Sequence, residues 1–269
     1  MQTPSSTTDL TAADLARRAD MAQDLVYGAW QLTSKAARIR RARKALELWP
    51  DCADAWSILG DNLAGTAREA ILFYEEAVRA GARALGPSQV WNAEGGFWAR
   101  PETQPYMRAR LSLALAQRAL ALRQEATEHL LEMLRLNPND DQGARVIAVL
   151  WLLEERRDDQ LAQLFRTYAG DALCDMLYGE ALWTFRQHGE SRKAAAALRR
   201  ALEGNAHVPG YLLGRSPLPD VLAEIVAVGS DEEAASYSAD WIAVWRDTPG
   251  ALEWLARTQA ALQPSAEHP

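Results

Sequence analysis

The sequence has few of the residues that form covalent, metal or catalytic sites. It contains two cysteines and four histidines in 269 residues. Cys52 and Cys174 are far apart and adjoin apolar helix positions. A disulfide framework and a four-cysteine zinc site are therefore excluded, and buried, unreactive thiols in a reducing compartment are predicted. No two histidines are spaced to place two metal ligands on one helix face.

Sequence motifs for chemistry are also missing. The chain has no GxxxxGK[ST] phosphate loop and no GxSxG nucleophile elbow, and the pair Gly95-Gly96 alone is weak evidence for a phosphate site. We therefore assign no catalytic, cofactor-binding or metal-binding residue. A protein that is not an enzyme is the expectation.

Long apolar runs and an excess of positive charge are absent as well. The most apolar run, residues 146–153, is far shorter than the ~20 residues that a membrane span needs. The first twenty residues lack the apolar core of a signal peptide. A net charge of -7 argues against a general binder of nucleic acid or anionic membranes, which needs a basic surface. These features predict a soluble, cytoplasmic protein.

Alanine, leucine and arginine dominate the sequence, and runs of the β-branched residues that favour strands are rare. A short helix that ends at Asn137-Pro138 recurs along the chain, because proline cannot continue a helix. Its pattern repeats after sixty-eight residues, with Ala126, Leu130 and Asn137 corresponding to Ala194, Leu198 and Asn205. This distance is twice the thirty-four-residue period of the tetratricopeptide repeat. The predicted fold is all-α, a right-handed superhelix of antiparallel helix pairs.

The expected organisation has four parts. Residues 1–18 form a flexible tail or fraying helix, 19–204 the helical array, 205–258 a C-terminal capping segment and 259–269 a flexible tail. Within the array, Trp56, Gly60 and Tyr74 match the pattern of one repeat. Gly60 is expected to let the two helices approach closely, while the two rings fill gaps between hairpins.

The period fails at residues 81–104, which are predicted to be an aromatic-rich insertion. It carries Trp91, Phe97 and Trp98 around the Gly-Gly pair. Long insertions in repeat arrays are often functional, and exposed tryptophans are frequent anchors for a partner. The alternative is that the insertion folds back to plug the groove or to cover a helix.

The C-terminal segment is predicted to begin irregularly and then to form two helices. Residues 219–226 are expected to form a short helix after three prolines, and an acidic run at 231–233 to begin another. Tyr237, Trp241 and Trp245 lie four residues apart and form one aromatic stripe. Capping the end of the array is the favoured role of this stripe, and ligand binding is the alternative.

Two C-terminal stretches, NAHVPGYLLGRSPLP and GSDEEAASYSADWIAVWRDTPGALEWL, resemble the suppressor-of-tumorigenicity protein family and its bacterial tetratricopeptide relatives. The residues that carry the resemblance are His207, Val208, Pro209, Tyr211, Leu212, Leu213, Gly250, Ala251 and Leu252. Ala206 stands where the family has proline, and the membrane-spanning part of the animal proteins has no counterpart. The resemblance covers residues 53–255 and implies the helical-repeat fold. It implies no biochemical activity, because none is settled for the family.

In such an array the first helix of each hairpin lines a concave groove. The residues predicted to face the groove and bind a partner are Arg108, Arg118, Arg145, Trp183 and Arg186. Converging arginines suggest an acidic peptide or a C-terminal carboxylate as the ligand, held by paired hydrogen bonds. The alternative is that each arginine pairs with a neighbouring carboxylate. The lysine and asparagine of the chaperone-tail carboxylate clamp are not found.

The leading hypothesis is a non-enzymatic scaffold or adaptor that binds a protein or peptide through the concave face and the insertion. A second hypothesis is a nucleic-acid accessory factor that uses the basic residues at 35–44, although such charges more often solvate a helix. They are Lys35, Arg38, Arg40, Arg41, Arg43 and Lys44. A third is an assembly or inhibitory subunit whose groove is filled by its own insertion.

Overall fold

The protein is described here from a computed structural model that covers residues 11–91 and 95–262, apart from the side chains of Pro87 and Trp91. Within these residues the chain forms fourteen α-helices and two short 3-10 turns, with no strand. The predicted all-α fold is confirmed. The chain divides between Ala144 and Arg145 into two compact units, each of which is described by itself.

The first unit is built from consecutive helices that pack in pairs, α1 on α2, α3 on α4 and α6 on α7, while α6 also lies along α4. The helices are α1 (Ala12–Trp30), α2 (Lys35–Leu48), α3 (Ala53–Leu63), α4 (Ala67–Leu85), α5 (Pro87–Trp91), α6 (Gln104–Ala119) and α7 (Arg123–Leu136).

Small residues and side-chain caps explain the hairpin of α3 and α4. A Cβ atom at Gly60 would lie 2.7 Å from the Tyr74 ring, so only glycine lets the two helices approach this closely. The α4 helix begins where the Thr66 hydroxyl accepts the Glu69 amide, and the Glu69 carboxylate accepts the Gly65 amide. These bonds satisfy donors that a helix N-terminus otherwise leaves open. The packing role predicted for Gly60 is confirmed.

The segment predicted as an insertion begins later than expected. Residues 81–85 continue α4, because Gly81 lets the helix pass close to Tyr106 of α6. After the short α5, the 3-10 turns Phe97–Ala99 and Pro101–Thr103 lead directly into α6. Residues 92–94 lie outside the described residues.

The second unit contains a further helical hairpin, α10 with α11, against which the C-terminal helices α13 and α14 pack. Its helices, the first of which begins at the boundary residue, are α8 (Ala144–Glu154), α9 (Asp158–Thr167), α10 (Cys174–His188), α11 (Arg192–Gly204), α12 (Val208–Leu212), α13 (Asp231–Arg246) and α14 (Ala251–Leu262).

The sixty-eight-residue period is visible in the local geometry of two helix ends. Asn137 ends α7 and Asn205 ends α11, and both residues are buried. Each donates its backbone amide over one helical turn, Asn137 to Met133 and Asn205 to Ala201, at 2.9 Å in both cases. The repeat spacing predicted from the sequence therefore corresponds to equivalent structural positions.

The C-terminal aromatic stripe is part of the second unit's core. Tyr237, Trp241 and Trp245 of α13 are all buried. Trp245 stacks near Trp254 of α14 with 6.5 Å between ring centroids, and Tyr237 lies 5.5 Å from Tyr178 of α10. The stripe packs against α10 and is buried, so these three rings offer no exposed surface for a ligand. Its role as a cap of the array stays a prediction.

The prediction of a helix at residues 219–226 is wrong. This stretch is irregular, and Val221 and Ile225 are 84% and 91% exposed. A helix this short needs packing against a neighbour to offset the cost of nucleation. Because these apolar side chains have no such neighbour in the described structure, the helix does not form.

Both cysteines are free and buried, as predicted. Burial raises the pKa of Cys52 to about 12 and also raises the pKa of Cys174. The reactive thiolate is therefore scarce at neutral pH.

Candidate functional site

The first helices of the three hairpins in the first unit are tied together by one buried carboxylate. Arg108 of α6 donates to Asp54 of α3 through Nε at 2.9 Å and Nη2 at 2.6 Å. Gln23 of α1 donates to the same carboxylate at 2.8 Å. The Asp54 side chain is 1% exposed and that of Arg108 is 28% exposed. Charge-assisted, two-pronged bonds of this kind are the strongest that arginine makes.

The Arg108 guanidinium also lies near two indole rings. Its central carbon is 5.1 Å from the Trp30 ring centroid and 6.0 Å from that of Trp98. Trp98 belongs to the insertion, where its carbonyl accepts a bond from Gln104 at 3.1 Å. The structure brings Arg108 of the predicted groove close to Trp98 of the insertion, but the positive charge is already neutralised by Asp54.

The other two aromatic residues of the insertion differ from the expectation. Phe97 is fully buried, and its ring lies edge-on to Tyr106 with 6.2 Å between centroids. The prediction that Phe97 is an exposed anchor for a partner is therefore wrong. The loop folds back, and the Phe97 ring packs inside the protein. Trp91 ends α5, and its side chain lies outside the described residues.

In the second unit, the predicted groove arginines bind the protein's own oxygens. Arg145 donates to Asp171 at 2.6 Å and lies over the Tyr168 ring. Arg186 donates through Nε to the Thr248 hydroxyl at 2.9 Å and through Nη1 to the Leu153 carbonyl at 2.9 Å. Burial lowers the pKa of Arg186.

Two further predicted residues are also engaged. Trp183 donates its indole N–H to Asp158 at 3.0 Å and packs on Phe165 at 5.6 Å between centroids. Arg118, half-buried in the last turn of α6, has a partner within the protein as well. An open receptor for an acidic ligand needs free guanidinium donors, so these contacts count against that use of the arginines.

A cleft in the first unit was not found by sequence reasoning. It has a volume of about 420 Å³ and lies among α1, the start of α3, α4 and the turn before α6. Four carboxylic acids line it, Asp20, Asp24, Asp51 and Glu102, and none of the described lining residues is a lysine, arginine or histidine. The described lining of the cleft is therefore acidic.

Aromatic rings and small side chains form the rest of the wall. Tyr27, Trp49 and Tyr106 contribute rings, while Ala19 and Ala84 leave space between the helices. The signal in the sequence was the spacing of Asp20, Asp24 and Tyr27, which lie on one face of α1. This pattern by itself also fits the solvated face of a helix, so it does not reveal the cleft.

The basic residues at 35–44 do lie on an exposed helical face. Ala42 and Ala45 form the buried side of α2, and Arg38 donates to the Leu32 carbonyl at 2.7 Å. The remaining five cations of this face have no carboxylate within 4.0 Å in the described part of the chain; they are Lys35, Arg40, Arg41, Arg43 and Lys44. An unpaired positive face is thus present on a negative protein.

Two acids, the buried Glu233 and the partly buried Asp175, hold the second unit together. Glu233 accepts the Cys174 amide at 3.0 Å, the Asn205 side-chain amide at 3.1 Å and the Gly229 amide at 2.7 Å. Asp175 accepts the Trp241 indole N–H at 2.7 Å. Both acids connect α10 with α13.

Burial raises the pKa of Asp175 to about 6, although the bond from Trp241 acts in the opposite direction. Between pH 4 and 6 the folded protein therefore holds a proton that the unfolded chain releases, so this group's contribution to stability falls as pH rises. Compared with Asp175→Asn, we expect the wild type to lose about 2 to 3 kcal/mol between pH 4 and 7. Urea unfolding of both proteins across this range measures the difference, and a constant difference would contradict the prediction.

No group of three or more histidine, cysteine, aspartate or glutamate side chains arranged for a metal ion occurs in residues 11–91 and 95–262. Over the same residues, no helix combines the length and apolar character of a membrane span.

The fold and these surfaces define an all-helical protein built from helical hairpins. Its sequence is similar to the suppressor of tumorigenicity 7 protein-like of Gallus gallus, with 28% identity over 249 residues, 84% of this chain and 45% of that protein. It is also similar to the suppressor of tumorigenicity 7 protein of Macaca fascicularis, with 27% identity over 278 residues, 87% of this chain and 52% of that protein. The resemblance predicted from the C-terminal motifs is confirmed, and the chain spans about half the length of the curated relatives it matches.

These relatives are vertebrate proteins and do not support a bacterial origin. No family model matches the chain. Among solved structures it is similar to YrrB, described as a TPR protein with an unusual peptide-binding site. That likeness has a TM-score of 0.47 and 20% identity, and covers 71% of this chain and 86% of the other.

Proposed function

We propose that the chain is a non-enzymatic scaffold that binds an extended segment of a partner protein in the cleft of its first unit. The observation that carries the proposal is the cleft itself, about 420 Å³ between the first helices and the turn before α6. Its walls come from elements that are braced by the Asp54–Arg108 pair, so the cleft does not have to be organised when a ligand arrives.

The ligand chemistry that this cleft favours differs from the one the arginines suggested. Three of the predicted arginines donate hydrogen bonds within the protein. Arg108 donates to Asp54, Arg145 to Asp171 and Arg186 to the Leu153 carbonyl. The acidic peptide stays a prediction, and these contacts weaken its basis. The groove filled by the insertion also stays a prediction. Pro101 and Glu102 of the insertion line the cleft and do not fill it.

A second candidate function rests on the unpaired basic face of α2. Five cations without a carboxylate within 4.0 Å, in the residues that the structure describes, could contact phosphates of a nucleic acid. The net charge of -7 opposes long-range attraction of a polyanion.

A peptide selection with a cleft-filling variant tests the proposal. We expect a random peptide library to yield sequences that bind the wild type and bind Ala19→Trp/Ala84→Trp at least about tenfold more weakly, since loss of a well-packed central contact commonly costs this much. The matched control is Ala36→Trp/Ala196→Trp, which adds the same two rings at exposed positions of α2 and α11. Circular dichroism checks that both variants fold.

Equal binding to both double variants, or no selected peptide at all, would refute the cleft as the binding site.

Fluorescence anisotropy with labelled oligonucleotides tests the second candidate function. Salt-sensitive oligonucleotide binding that is lost in Arg40→Glu/Arg43→Glu would favour the second candidate.

A further inference from the structure

The carboxylates of the cleft are under-neutralised. Asp51 pairs with Arg83 at 2.8 Å, but the same guanidinium also binds Glu76 at 2.8 Å. Asp20, Asp24 and Glu102 have no ion-pair partner among the described residues of the chain. Several carboxylates held around one concavity repel each other, and a bound positive charge relieves that repulsion.

The aromatic wall suits an organic cation. The Tyr27 side chain is exposed, and Trp49 is partly so. Positive groups bind the faces of such rings, and this unit already uses the interaction, since Arg108 lies 5.1 Å from the Trp30 centroid. Arg110 covers Tyr106 at 5.0 Å, so Tyr27 and Trp49 are the rings that remain for a ligand.

A metal ion fits these observations less well. The described residues contain no group of three or more acidic, histidine or cysteine side chains arranged for a metal. The cleft carboxylates come from separate walls, Asp20 and Asp24 from α1, Asp51 from the turn before α3 and Glu102 from the turn before α6. Their separation leaves room for a cation that carries a carbon chain.

We infer that the cleft binds the lysine or arginine side chain of a basic segment of a partner protein, with the ammonium or guanidinium among the carboxylates and the methylene stem along Tyr27 and Trp49. This inference rests on the proposed function and specifies its ligand. A basic segment of a partner protein matches the charge of the residues that line the cleft.

Peptides from the cleft-dependent selection provide the probe. Each is resynthesised with every lysine and arginine replaced by glutamine, and binding is measured by fluorescence anisotropy. We expect the glutamine versions to bind at least about tenfold more weakly, in line with the loss of a desolvated charge pair. Raising the salt concentration from about 0.05 to about 0.5 M should weaken the binding of the basic peptides by about tenfold and leave the binding of the glutamine peptides nearly unchanged.

Charge reversal on the protein gives the complementary test. Asp20→Lys/Glu102→Lys should reduce binding of the basic peptides by at least about tenfold, because it inverts the charge on two walls. The control Glu47→Lys/Glu125→Lys makes the same change in net charge at exposed positions of α2 and α7 and should retain binding. Tyr27→Leu should weaken binding about two- to fivefold through loss of the cation–π contact.

The possible outcomes distinguish failure of this inference from failure of the proposed scaffold function. Cleft-dependent peptides that lack basic residues, or that bind equally after replacement by glutamine, would overturn the cation assignment and leave the scaffold function standing. Failure to select any cleft-dependent peptide would overturn both. Self-association that Asp20→Lys/Glu102→Lys abolishes in sedimentation would assign the cleft to the basic α2 face of a second copy, which would contradict a separate partner.

Discussion

Glu233→Ala is expected to lower the free energy of unfolding by about 3 to 5 kcal/mol, because two buried donors and one partly buried donor lose their acceptor at once. The donors are the backbone amides of Cys174 and Gly229 and the side chain of Asn205. They belong to the start of α10, the turn before α13 and the end of α11, so one carboxylate connects three parts of the second unit. Urea unfolding followed by circular dichroism measures the loss.

Two comparisons make the result specific to the buried network. Glu232→Ala removes the adjacent, exposed carboxylate and should change stability by less than about 0.5 kcal/mol. In a Cys52→Ser background, Cys174 is the remaining thiol, and Glu233→Ala should raise its rate of reaction with a thiol reagent because the α10 start opens more often. Wild-type stability and thiol reactivity in Glu233→Ala would show that the carboxylate is not structural.

Arg108→Met is expected to destabilise the first unit by about 2 to 4 kcal/mol, because it leaves the buried Asp54 carboxylate without its ion-pair partner. The Asp54 carboxylate is 1% exposed and would keep one side-chain donor, Gln23. The partial exposure of Arg108 allows some water to replace it, which places the estimate below that for a fully buried pair. Arg79→Met removes a guanidinium from exposed pairs and should cost less than about 1 kcal/mol.

A double-mutant cycle separates the ion pair from the packing of the arginine stem. Asp54→Leu/Arg108→Met replaces both charges by apolar groups and should be more stable than Arg108→Met by about 2 kcal/mol, because no buried charge is left unpaired. Additive effects of the two single changes would mean that the residues do not depend on each other. Peptide binding to the double variant would also report whether the brace is needed to hold the cleft open.

Local patterns predicted the helices better than the ends of the insertion. Asn137 and Asn205 were recognised as equivalent because each ends a helix with the same small and apolar residues before it, and each amide donates to the carbonyl one turn back at 2.9 Å. The insertion was placed too early, at Gly81, because the repeat period fails there. In the structure Gly81 is a contact point, where the missing side chain admits Tyr106.

The candidate site depended on contacts that no spacing reveals. Arg108 was predicted to line the groove, and the carboxylate that it binds, Asp54, lies 54 residues away in the sequence. Whether a guanidinium is free or paired depends on the distance to that partner. The same limitation hid the cleft, whose carboxylates come from separate segments of the chain.

The amino-acid sequence alone determined the all-helical class, the repeat period and the burial of both cysteines, because helix propensity, capping and proline stops act within a few residues. Tertiary structure alone decided that Phe97 is core, that residues 219–226 remain irregular and that Asp20, Asp24 and Glu102 border one cleft. These features depend on which distant surfaces meet. The free energy of such contacts comes from packing and from pairing of charges across the fold.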